Sequence, residues 1–188
     1  MNVWYSLSDI PGNEASVVTI GNFDGMHNGH KKVVSTCIER AHKLGVDAVA
    51  ITFDPHPIQV HKPEVGLQLI SPLRDRLDAM AAAGLDATLV AHYDASVYSL
   101  EAEEFVYEYL VERCGAREVV VGEDFRFGRG NAGTIDTLRE LGSRYGFGVI
   151  TVTDIEAPEG RRWSSSWVRE LLAAGDVAGA ARVLGHLH

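Results

Sequence analysis

Residues 21–30, Gly-Asn-Phe-Asp-Gly-Met-His-Asn-Gly-His, place three glycines, one carboxylate and two histidines within ten positions. Glycines at 25 and 29 let backbone approach a ligand closely. His27 and His30 are three apart, so in a first helical turn both rings can face one ligand. The free N–H groups of such a turn favour an anion. The chemistry this composition suits is the holding of a polyphosphate. Three other stretches carry comparable chemistry. Thr52-Phe53-Asp54-Pro55-His56-Pro57 sets a carboxylate and an imidazole between prolines. Residues 122–133 mix glycines, Asp124, Phe125, Arg126 and Phe127. Residues 161–169 put Ser164, Ser165 and Ser166 between Arg162 and Arg169. Capping a helix needs one serine, so three serines with two arginines point to phosphate binding by hydroxyls, N–H groups and guanidinium forks.

The intervening pattern supplies the elements that hold these residues. Val17 to Ile20 is a short apolar run ahead of the histidine turn, and Val33, Val34, Cys37, Ile38, Ala41 and Leu44 recur at helical spacing behind it. Strands are predicted over 16–20, 46–53, 85–91, 118–121 and 148–153. Helices are predicted over 31–44, 102–114, 134–145, 170–174 and 177–184, with one more from Ser71 as N-cap through Pro72 at its first position to Gly84. Residues 1–5 read as an edge strand or a tail packed on the core, 59–70 as an irregular flap, and 154–160 as a polar turn. Strands alternating with helices imply an α/β fold, a Rossmann-like doubly wound parallel sheet of about five strands. With the order 3-2-1-4-5, the histidine turn and the 122–133 loop leave neighbouring strands at the switch point, where such sheets bind ligands. Asp54 and His56 leave the next strand at the same edge and are expected beside a ligand.

The chain has 188 residues, 46% hydrophobic, and a net charge of −9. That length suits one domain over 1–188. An acidic balance argues against nucleic acid or a membrane surface as partner. No run is apolar enough to span a bilayer and no signal peptide is visible, so the expected location is cytoplasmic. Cys37 and Cys114 fall on apolar helix faces and read as reduced core residues.

His-x-Gly-His at a strand-to-helix turn resembles the nucleotidyltransferase superfamily. The four stretches together, at 21–30, 52–57, 120–128 and 164–169 followed by Leu-Leu-x-x-Gly-Asp, narrow the resemblance. It is to the adenylyltransferase module of prokaryotic bifunctional riboflavin kinase/FAD synthetase, over essentially the whole chain. The resemblance implies transfer of AMP from ATP to FMN, giving FAD and pyrophosphate, with Mg²⁺ as cofactor and no assigned metal ligands. It implies that His27, His30, Asp124, Arg162, Ser165 and Arg169 act on the reacting phosphates. Gly21, Phe23, Asp24, Gly25, Gly29, Phe53, Asp54, His56, Phe125, Ser164 and Ser166 are then the nucleotide and flavin contacts. A riboflavin kinase domain is expected in cis in the full-length family, beyond these residues. Two departures from the family pattern are Ser166 where threonine is usual and Trp163 where an aliphatic residue is usual. The alternatives are a nucleotidyltransferase with another phosphate acceptor and a flavin- or nucleotide-binding module without turnover.

Overall fold

A computed structural model describes residues 1–12, 14–153, 157–158 and 160–187. Six parallel strands form one sheet: β1 Asn2–Trp4, β2 Ser16–Ile20, β3 Asp47–Asp54, β4 Ala87–His92, β5 Ala116–Gly122 and β6 Gly148–Val152, in the order β1-β4-β3-β2-β5-β6. The five strands β2 to β6 reproduce the expected 3-2-1-4-5 order. The sixth is the N-terminal stretch, which pairs with β4 from Asn2↔Ala87 to Trp4↔Leu89 rather than packing as a tail.

Both faces of the sheet are covered, and the alternation along each strand shows how. Val17, Ala48, Ala50 and Val120 turn to one face with Val34, Cys37 and Ala41 of α1 (Asn28–Leu44) and Met80 of α3 (Leu73–Ala83). Val18, Ile20, Val49, Ile51, Val119 and Val121 turn to the other. There they meet Leu138 and Leu141 of α6 (Ile135–Tyr145), and the helix that begins as α5 (Ala102–Phe105) and continues with π-type turns over Val106–Arg113. Phe105, Val106, Tyr109 and Leu110 face inward there, as the sequence spacing predicts. Cys37 and Cys114 are free thiols in these cores, their pKa values pushed up to about 12 by burial. A third apolar cluster, with Trp163, Trp167, Val168, Val183 and Leu184, joins α7 (Ser165–Ala173) to α8 (Val177–Leu184) and reaches Ile70.

Several elements differ from the sequence reading. The expected flap over 59–70 contains α2 (Pro57–His61) and a single 3₁₀ turn, Pro63–Val65. His56 caps α2 by accepting the Ile58 N–H at 3.2 Å, and Gln59 returns its side chain to the His56 N–H. α3 starts one residue later than expected, with Pro72 as N-cap, because Ser71 is engaged elsewhere: its hydroxyl accepts the Gly25 N–H at 2.9 Å. The inner face of α3 carries Arg76 as well as Met80, and Ala81 is exposed. A further short helix, α4 (Ala95–Tyr98), is capped by Asp94. The polar turn expected over 154–160 falls largely outside the described residues.

Candidate active site

The site is built where β2 and β5 diverge in their connections. After β2 the chain makes a tight descent: Phe23, Gly25 and Met26 all take positive φ, at 51°, 79° and 41°. Such backbone is strained for phenylalanine and methionine, and it persists because both side chains are buried in the core under α1. His27 is the N-cap of α1. Its Nδ1 accepts the His30 N–H at 3.3 Å, which leaves the proton of the neutral ring on Nε2. The His27 and His30 rings stack, with centroids 3.7 Å apart, and His30 meets Phe23 edge-on at 5.4 Å. Gly29 sits in a tight place: a Cβ there would lie 3.1 Å from the His27 ring and 3.3 Å from the Trp163 carbonyl oxygen.

Burial pushes the His27 imidazole down to about 4, with Arg162 and Arg169 acting in the same direction and Asp24 opposing them. His30 is held well below the ordinary histidine range, first by burial, then by His27 and Arg162. Both rings are therefore neutral at pH 7, and they face a ligand as hydrogen-bond donors and acceptors rather than as cations. His30 Nδ1 is buried without a hydrogen-bond partner.

Two cavities of ≈ 280 Å³ each open beside this turn. The first is lined by His27, Gly29, His30, Arg162, Ser164 and Ser165, with Phe23 and Lys32 beside them. The second is rich in aromatic rings, lined by Phe53, Tyr93, Tyr98, Phe105, Phe125 and Phe127, with Asn22, Arg126 and Asn131 among its polar groups. Ile20, Gly21, Asp124 and Phe125 border both, so the cavities adjoin across the ends of β2 and β5. Arg162 pairs with Asp124 at 2.9 Å, tying the loop after β5 to the segment before α7. That loop folds back on itself: Phe127 and Gly133 exchange both backbone hydrogen bonds, at 3.2 and 2.9 Å, and Phe125 stacks on Phe127.

At the first turn of α7, Ser164 is the N-cap and accepts the Trp167 N–H at 3.2 Å, while the Ser165 hydroxyl donates to the Asp24 carbonyl oxygen at 3.0 Å. Ser166 is exposed and lines neither cavity. Neither do Asp24, Gly25, Asp54, His56 or Arg169. Asp24 is 1% exposed. Its carboxylate accepts the N–H groups of Ile70 and Ser71 at 3.0 Å and pairs with the Arg169 guanidinium, whose Nε donates to the Gln68 carbonyl at 2.8 Å. Asp54 pairs at 3.1 Å with Arg76, a fully buried guanidinium that also donates to the Asn22 and Phe53 carbonyls. The sequence reading did not single out Arg76, Tyr93 or Tyr98, and it read Phe105 as helix core alone. Arg76 sits among charged neighbours on its helix, and the aromatics come from three separate elements, so periodicity holds no sign of their meeting.

Parallel strands, crossover helices on both faces, and a histidine-bearing turn at the switch point define a Rossmann-like domain of the nucleotidyltransferase superfamily. Among solved structures, the fold is shared with a Streptococcus pneumoniae protein described as a macrolide-efflux protein, at 26% identity and TM-score 0.85, over 98% of this chain and 61% of that one. It is shared more distantly with pantoate-beta-alanine ligase from Francisella tularensis, at 13% identity and TM-score 0.60, over 97% of this chain and 78% of that one. Among the described residues no helix is long and apolar enough to cross a membrane.

The chain belongs to the FAD synthetase family, whose profile matches residues 9–167. It is 35% identical to the bifunctional riboflavin kinase/FMN adenylyltransferase of Escherichia coli K12, over 97% of this chain, and 37% identical to that of Pseudomonas fluorescens, over 93%. It spans only 58% and 56% of the length of those two relatives.

Proposed function

We propose that this chain transfers AMP from ATP to FMN, giving FAD and pyrophosphate. The observation that carries the proposal is the pair of adjoining cavities, one lined by the histidine turn and the other by aromatic rings. The histidine-lined cavity suits a nucleoside triphosphate: two imidazoles, the N-terminal turn of α7 with Ser164 and Ser165, and Arg162 border it. The aromatic cavity suits the flat ring of a flavin, which buries a large apolar face between side chains such as Phe53, Tyr98 and Phe125. The shared border at Gly21 and Asp124 is where the two reacting phosphates would meet.

In this reading an oxygen of the FMN phosphate attacks the α-phosphorus of ATP in line. The new P–O bond forms as the bond to the β-phosphate oxygen breaks, and pyrophosphate leaves with the electron pair. No covalent intermediate on the protein is needed, so the residues work by positioning and by stabilising developing charge. His27 Nε2–H is the donor best suited to the α-phosphate, and His30 stacks behind it. Ser165, the N–H groups of α7 and Arg162 hold the outer phosphates. The bare Cα of Gly29, which lines the same cavity, allows the turn to sit against them.

Mg²⁺ belongs to the same proposal. No cluster of three acidic, histidine or cysteine side chains suited to a metal exists among the described residues. Among the described residues, Asp124 is the one carboxylate bordering the cavities. That donor set fits Mg²⁺, which is usually held by substrate phosphates and one or two carboxylates. When bound, it would offset the charge of the triphosphate. Incubation with ATP, Mg²⁺ and FMN, followed by chromatography, tests the proposal: FAD is expected, and its absence with a folded, ATP-binding protein would leave only a binding module.

A further inference from the structure

The residue that ties the histidine-lined cavity together does not itself line it. Asp24 lies in the histidine turn, and its two carboxylate oxygens accept from Ile70 and Ser71, before α3, and from Arg169 of α7. Its backbone carbonyl accepts the Ser165 hydroxyl at 3.0 Å. The neighbouring Gly25 N–H donates back to Ser71 Oγ, and Arg169 Nε reaches the Gln68 carbonyl. Three segments far apart in sequence therefore meet at one buried carboxylate. One of them carries His27, and another carries Ser164 and Ser165.

Stability alone does not account for such a group. A buried ion pair is on balance no better than well-packed apolar side chains of the same volume, because desolvation offsets the attraction. Apolar side chains, however, would not fix the mutual placement of a turn, a loop end and a helix terminus to within hydrogen-bonding tolerance. Arg169 is 22% exposed at its side chain, engages Gln68 and Asp24 through Nε and Nη2, and does not line the cavity bordered by His27 and Arg162.

Resting on the adenylyltransferase reading above, we propose that Asp24 is a positioning residue for the nucleotide: with Arg169, it sets the first turn of α7 at the distance from the histidine turn that a triphosphate requires. Arg169 then acts through Asp24 and not as a phosphate ligand. The proposal concerns nucleotide binding and leaves the aromatic cavity untouched, which gives it a selective readout.

The test uses Asp24→Asn, Arg169→Met and the double variant in the 188-residue chain. It measures the Kd of α,β-methylene-ATP by calorimetry, and KM for ATP and FMN separately. Asparagine keeps an acceptor for the Ile70 and Ser71 N–H groups and removes the charge that holds Arg169. The expected result is a tenfold or greater rise in Kd and KM for ATP in each single variant, with KM for FMN within twofold. The double variant should be no worse than the worse single one, because the two residues act as one unit. An unchanged ATP KM in Asp24→Asn, or losses that multiply in the double variant, would overturn the proposal. Should Asp24→Asn fail to fold, Ser71→Ala decides: it removes the acceptor for Gly25 and the hydroxyl that donates to the Asp24 carboxylate at 3.5 Å, and an ATP KM equal to wild type would overturn the proposal while a rise would support it. A wild-type chain that binds the analogue yet makes no FAD would refute the adenylyltransferase reading, and the Kd values would still judge the role of Asp24.

Discussion

Gly29→Ala separates the catalytic demand at the histidine turn from the demands of folding, because the two should move in opposite directions. Gly29 lies in the first turn of α1 with ordinary negative φ, so alanine is compatible with its backbone. Replacing a helical glycine by alanine commonly gains roughly 0.5–1 kcal/mol, and less at a helix end. At about 2–4 °C per kcal/mol for a chain of this size, Tm should stay level or rise by about 1–2 °C. The new methyl carbon would lie 3.1 Å from Cε1 and Nδ1 of His27, closer than ordinary contact, so the ring must shift by a few tenths of an ångström. The ring borders the histidine-lined cavity and can yield into it, while the Trp163 carbonyl oxygen, 3.3 Å from the methyl carbon, offsets part of the helix gain. The same displacement misplaces the Nε2 donor. Since a 1 Å misplacement costs about 10²-fold, a shift of this size should lower kcat/KM about tenfold. Differential scanning fluorimetry and steady-state FAD formation on one preparation give both numbers. Full activity at unchanged Tm would refute the argument that the bare Cα of Gly29 sets the position of His27. Activity lost in proportion to Tm would show a packing role only.

Gly25→Ala should behave in the contrary way, since alanine there meets both φ of 79° and side-chain atoms of Ile70 and Leu184 within 3 Å; a loss of about 2–5 kcal/mol in urea unfolding is expected, and a stability equal to wild type would contradict the described turn. His30→Ala should cut turnover on the order of 10²–10³-fold while far-UV circular dichroism stays native, and a variant with full turnover per folded molecule would remove His30 from the site. The histidine turn also predicts a pH effect on stability. His27 is depressed from 6.5 to about 4 on folding, so the unfolded chain binds more protons between those values. The stabilisation is complete above pH 6.5 and is lost as pH falls toward 4. It amounts to on the order of 3 kcal/mol for this one group. His27→Gln should flatten the urea-derived stability profile between pH 7 and 5, and an unchanged slope would show that the ring is not buried as a neutral imidazole.

The parts of the fold that could be read from sequence are those set by local pattern. The run ending at Ile20, the glycines after it and the apolar stripe from Val33 gave a strand, a turn and a helix without reference to the rest of the chain, and the alternation of elements gave the sheet order. What local pattern does not hold is partnership across long separations. Asp24 looks like a ligand residue because it sits in the motif, yet its partners are 46 and 145 positions away. Arg76 looks solvent-exposed amid Arg74, Asp75 and Asp78, yet it is buried and gathers the ends of β2 and β3. The boundary of α3 shifted by one residue for the same reason: Ser71 suits an N-cap by type, and a tertiary contact with Gly25 claims its hydroxyl first. α2 was hidden by a histidine in the capping role, which Ser, Thr, Asp and Asn usually fill. The aromatic cavity draws Phe53, Tyr93, Tyr98, Phe105 and Phe125 from different elements, and only the folded chain collects them.

The central claim is that the histidine-lined cavity presents the α-phosphorus of ATP to a phosphate lodged beside the aromatic cavity. Isotope position tests this most directly. With ATP labelled at the α-phosphorus and unlabelled FMN, the label should appear in FAD in a 1:1 ratio to pyrophosphate released. With ATP labelled at the γ-phosphorus, the label should appear only in pyrophosphate. Label from the γ-position in a flavin product, or ADP in place of pyrophosphate, would contradict the account.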